Sequence, residues 1–138
     1  MKRGFAAVAI VLAIAVDGAT ANETDEVFAR AGSQDYARYC ATCHGPGGTG
    51  DGPSASALRT PPADLTRIAA RRGGEFDEAE VARFIDGRFE VAAHGTREMP
   101  IWGHTFGDRI PEPSVSDEVV RGRIARLVEY LKSIQESD

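Results

Sequence analysis

Cysteine is nearly absent from this chain: there are two in 138 residues, Cys40 and Cys43. Small exported domains often use disulfides where the core is small, but no second pair exists here. A bridge between Cys40 and Cys43 would close too short a loop to stabilise much. Long apolar runs are also missing. The longest, residues 5–16, has 12 residues, whereas a membrane-spanning helix needs about 18 or more. No segment alternates polar and apolar residues as a strand would, and no internal repeat is present. Methionine occurs only as Met1 and Met99. Basic residues do not dominate: 16 Lys and Arg stand against 21 Asp and Glu, a formal charge of −5. That balance disfavours nucleic acid and anionic membrane surfaces as partners.

What is present begins with a leader. Lys2 and Arg3 precede the apolar run, and Ala19-Thr20-Ala21 places small residues where a signal peptidase reads. The order is that of a secretory signal. Cleavage is expected after Ala21, with residues 1–21 as signal peptide and 22–138 as one domain in the periplasm. A retained anchor is the alternative; the run is short for it, and Asp17 follows directly. Cleavage removes two cations and one anion, so the charge of −5 becomes −6. No membrane association is expected afterwards, and an acidic domain suits partners with a basic docking face.

The rest reads as helices separated by long loops. A helix is expected over 26–39, running into the cysteines. Residues 45–53, Gly-Pro-Gly-Gly-Thr-Gly-Asp-Gly-Pro, form a loop. A short helix follows over 64–72, ending at Gly73-Gly74, with Arg71-Arg72 as its solvated end. Asp77 can cap the next helix, with Glu80 as reciprocal partner and Phe76 and Val81 as hydrophobic staple. Gly87 suits its left-handed end. Residues 92–113 read as irregular. The last helix, over 117–135, carries Val120, Ile124, Leu127, Val128, Leu131 and Ile134 at three- and four-residue steps. The fold class is all-α. Loops this long are unusual in a compact domain unless they enclose something.

Cys40-Ala41-Thr42-Cys43-His44 supplies that something. In a helical turn the sulfurs at i and i+3 and the imidazole at i+4 share one face. Each thiol can add to one haem vinyl group, and His44 can then ligate the iron. The pentapeptide is the attachment pattern of haem c. A thioredoxin-like redox pair needs a βαβ context, which is absent. Structural zinc needs four ligands and lacks a second cysteine pair. Export fits covalent haem attachment outside the cytoplasm.

The sequence resembles the class I c-type cytochromes of bacteria. Gly32-x-x-x-Tyr36-x-x-x-Cys40 is similar to that family's first helix and residues 127–132, Leu-Val-Glu-Tyr-Leu-Lys, to its last. Residues 98–103, Glu-Met-Pro-Ile-Trp-Gly, resemble the segment that supplies the second iron ligand. The resemblance covers nearly all of residues 32–134. It implies a cytochrome c-like single domain wrapping one covalent haem, with the terminal helices crossing at Gly32. It implies Cys40 and Cys43 as thioether residues and His44 and Met99 as axial ligands. Met99 is the one methionine left after cleavage, and Pro100 fixes the backbone after it; His/Met ligation raises the reduction potential. His94 and His104 stand as rival sixth ligands, and a core-filling role for Met99 remains open. The resemblance also implies a proline carbonyl that accepts from His44 Nδ1, for which Pro53 is the best match. Trp102 is expected against the haem edge, Arg97 beside a propionate, and residues 61–65 as a turn over the haem.

The implied function is one-electron transfer between a redox donor and acceptor, without enzymatic activity of its own. One alternative is a haem subunit of a periplasmic dehydrogenase complex, sulfite- or alcohol-oxidising for example. A gas-binding or catalytic haem with an open iron position, and a haem-free helical module, are the others; Met99 and the CxxCH motif weigh against them.

Overall fold

The computed structural model describes residues 21–89 and 98–136. The expected signal peptide apart from Ala21, and His94 and Arg97, lie outside them. Among the described residues all regular structure is helical. No helix there is long and apolar enough to cross a membrane.

The apolar stripe of the C-terminal segment organises the molecule. Val120, Ile124, Leu127, Val128 and Leu131 lie on one face of α5, Pro113–Ser133, and all are buried. The helix starts earlier than the expected residue 117 because Pro113 occupies its first turn. A proline there forfeits no hydrogen bond and already has the helical φ.

Helix α1, Ala21–Tyr39, crosses α5. The crossing depends on Gly32. A Cβ at that position would sit 1.9 Å from the Arg126 carbonyl oxygen and 2.9 Å from Tyr130 Cβ. Tyr36 and Tyr130 pack beside it with ring centroids 5.0 Å apart. Arg126 Nη2 donates to Asp35 Oδ2 at 2.7 Å across the same contact. The helix crossing expected from Gly32, Tyr36, Leu127, Tyr130 and Leu131 is therefore the central packing of the fold.

Two glycines on these helices should respond oppositely to alanine. Alanine favours a helix over glycine by up to about 1 kcal/mol. Gly122, exposed on α5, has nothing within 4 Å of an added Cβ, so Gly122→Ala should raise the melting temperature. At Gly32 the obstacle is backbone, which cannot swing away. Gly32→Ala should lower it, and Gly32→Leu should cost roughly 1–3 kcal/mol or more. Thermal unfolding of the three variants checks this; a Gly32→Leu protein melting like wild type would refute the crossing.

Helix α2, Ala41–His44, continues α1 after a break at Cys40. The expected helix over 64–72 is instead two 3₁₀ turns, Leu65–Arg67 and Ala70–Arg72, closed by Gly73 at φ 70°. Helix α3, Glu78–Asp86, has the expected ends: Asp77 accepts from the Glu80 N–H at 2.9 Å, and Gly87 is left-handed at φ 68°. The Glu80 carboxylate turns away from the cap to pair with Arg72. Val81 and Ile85 of α3 are buried against the core that α5 builds.

Residues 92–113 are not wholly irregular. Helix α4, Trp102–Gly107, forms within them and buries Phe106. The glycines that suggested a loop serve close packing: a Cβ at Gly103 would meet Asp86 Oδ1 at 2.2 Å.

Candidate haem site

A cavity of about 300 Å³ lies between α1, α3, α5 and the loop segments. Leu127 and Leu131 of α5, Val81 and Ile85 of α3, and Leu65 and Ile68 of the 3₁₀ region give it apolar walls. Against them stand three side chains of soft or nitrogen donor chemistry: Cys40, His44 and Met99. A cavity this size, mostly aliphatic with a few converging polar groups, is built for an organic ligand. Thiol, imidazole and thioether are a set suited to haem c, so the residues present fit the group.

The attachment turn is held from both sides. His44 N–H donates to Cys40 O at 2.9 Å, and Cys43 N–H to the same oxygen at 3.1 Å. Tyr36, fully enclosed, donates its hydroxyl to Gly45 O at 2.6 Å. Burial, with Cys40 next, drives that phenol's pKa upward, so it remains a donor. Burial first, then Asp35 and Cys43, pushes the Cys40 thiol up to about 12. Redox-active CxxC cysteines show the opposite, a depressed pKa that exposes thiolate. Among the described residues no three His, Cys, Asp or Glu side chains gather as a metal-ion cage would require. Neither dithiol exchange nor structural zinc suits this turn.

His44 Nδ1 lies 3.0 Å from the Ala63 carbonyl oxygen. A carbonyl only accepts, so Nδ1 carries the proton and Nε2 is left as the donor atom. The expectation for Pro53 is corrected here: Pro53 is exposed, and the loop returns ten residues later to place Ala63 instead. Gly50 permits that return, since a Cβ there would meet Pro62 O at 2.5 Å. Of the 61–65 segment, Ala63 and Leu65 line the cavity.

Trp102 is placed apart from the cavity lining. It packs in an aromatic cluster, 5.7 Å from Tyr39 and 5.5 Å from Phe106 between centroids. Helix α4 turns the indole back toward the core. His104, on the same helix, is exposed. Arg71 and Arg72, expected as a solvated helix end, line the cavity; Arg71 donates to Asp64 O at 2.8 Å and Arg72 pairs with Glu80.

Two holding residues had no sequence signature. Gln135 accepts from Ala69 N–H at 2.9 Å and donates to Leu65 O at 2.8 Å, tying the end of α5 to the 3₁₀ wall. Glu98, beside Met99, accepts from Arg59 N–H at 3.1 Å and Thr60 N–H at 2.9 Å. Those backbone bonds, Thr60 first, hold its carboxyl below the usual carboxylate range.

No curated protein and no solved structure matches the chain significantly. Residues 28–109 match the family described as "Cytochrome C oxidase, cbb3-type, subunit III". The span runs from within α1 past α4, more than half of the chain, and includes the CxxCH turn, the loop at 59–63 and Met99. This chain therefore belongs to the family of cbb3-type cytochrome c domains: it is a c-type cytochrome that binds haem c covalently and serves haem-based electron transfer.

Proposed function

We propose that residues 22–138 form an exported, periplasmic single-haem electron carrier. Cys40 and Cys43 would form the thioethers, with His44 and Met99 as axial ligands. The convergence of Cys40, His44 and Met99 on one cavity carries this reading. When bound, the haem supplies a one-electron couple, whose potential and access the protein sets. Ala63 O fixes the His44 ring and leaves Nε2 available. A soft thioether such as Met99 favours the reduced metal. The aliphatic walls exclude water from the cofactor.

The partners would be a redox donor and acceptor. After leader cleavage the domain would carry a formal charge of −6. That sign favours a basic docking face.

Maturation in a periplasm tests the proposal. Mass spectrometry should find Asn22 as the first residue with one haem attached. Titration should follow a one-electron curve, and the ferric spectrum should be low-spin. A full-length, membrane-retained product would overturn the export reading. A wild type already high-spin and binding carbon monoxide would overturn the carrier reading. Stable co-purification with a dehydrogenase would replace the free shuttle by a complex subunit.

A further inference from the structure

Residues 59–63 contact both His44 and Glu98, the neighbour of Met99. Ala63 O accepts from His44 Nδ1 at 3.0 Å. Four and three residues earlier, Arg59 and Thr60 N–H donate to the two oxygens of Glu98, whose neighbour Met99 lines the cavity. Arg59 Nε adds a contact of 3.5 Å to Glu98 Oε1. Between the two grips stand Pro61 and Pro62, whose fixed φ angles leave the span little freedom. The loop is also seated on the attachment side, where Leu65 N–H donates to Gly48 O at 2.6 Å.

We propose that Glu98 is a positioning residue. By gripping the Arg59 and Thr60 amides it references Met99 to the same rigid loop that orients His44. The proposal rests on the reading of Met99 as the sixth ligand. A thioether–iron bond is weak enough to open transiently, and the chain segment carrying it must return to register each time. A carboxylate with two backbone donors gives that register in two directions at once. Side-chain charge alone would not: Glu98 is held by the geometry of consecutive N–H groups, which a surface ion pair lacks.

The test uses the haem-loaded protein with Glu98→Ala, Glu98→Gln and Met99→Ala. It reads the rate of carbon monoxide binding to the reduced form, the far-red charge-transfer band of the oxidised form, and melting. Losing charge-assisted bonds at a partly exposed site should raise the carbon monoxide rate about three- to tenfold in Glu98→Ala and weaken the band. Glu98→Gln, with one carbonyl oxygen left, should fall between it and wild type. If Glu98→Ala does not assemble, the Gln variant decides alone. Melting lowered with the rate and band unchanged, while Met99→Ala binds carbon monoxide rapidly, would overturn the positioning role and leave the ligand reading intact. A Met99→Ala protein spectrally identical to wild type would overturn the ligand reading, and this proposal with it.

Discussion

Met99→Ala is expected to lose the far-red charge-transfer band that the wild-type ferric protein shows at neutral pH. The variant should turn high-spin or water-ligated and bind cyanide or carbon monoxide quickly. Its potential should fall on the order of 0.1 V or more, within the roughly 0.8 V over which axial ligands act. The direction follows from ligand chemistry: a soft thioether favours the ferrous state, and water, a harder ligand, does not. Met99→His should stay low-spin at a lower potential. His104→Ala should change little, because His104 is exposed on α4. His94→Ala should also be silent. A bis-His site would reverse the pattern, with Met99→Ala spectrally silent and one histidine variant opening the iron.

Replacing Cys40 and Cys43 together by alanine should turn an irreversible cofactor into an exchangeable one. Acid-solvent extraction should remove haem from the variant and leave it on the wild type. Without thioethers, the cofactor stabilises only by mass action. The gain is about 2.7 kcal/mol when free haem is one hundred times its dissociation constant, and it vanishes on dilution. Melting of the variant should therefore depend on added haem, while the wild type melts at one temperature. The cavity explains why the loss matters to folding. Its wall includes Leu127 and Leu131 of the central helix crossing, so an empty cavity leaves core side chains without contacts on one side. Extractable colour in the wild type would refute the thioether attachment.

Much of the site is legible in the chain because its chemistry is carried by local spacing. Cys40 and His44 need only one helical turn to reach the same cavity, and the stripe from Val120 to Leu131 needs only its own periodicity. Gly32 and Tyr36 were readable through family likeness. What escaped depends on backbone groups or on return paths of the chain. A carbonyl has no sequence signature, so resemblance points to Pro53 as the acceptor for His44 Nδ1, whereas it lies at Ala63. The grip of Glu98 on Arg59 and Thr60 joins residues nearly forty apart, beyond any local pattern. Trp102 opens α4, which packs it onto Tyr39 and Phe106, contacts that its distance from Met99 does not reveal. That helix was hidden because Gly103 and Gly107 resemble loop residues, whereas tight packing against Asp86 and Ser116 requires them.

The crossing of α1 with α5 also sets the timing of assembly. The attachment turn directly follows the first helix, and the partner of that helix comes last along the chain. While α5 is still to emerge, Gly32 has no Arg126 carbonyl to meet, and the cavity lacks its Leu127 and Leu131 wall. Contacts between such distant segments form late, since the long intervening loop must close first. Until then Cys40 faces a cavity that lacks its α5 side. Once the last helix docks, Cys40 lies half-buried in the cavity wall. Closure of the terminal helices is therefore the step that completes the cavity wall.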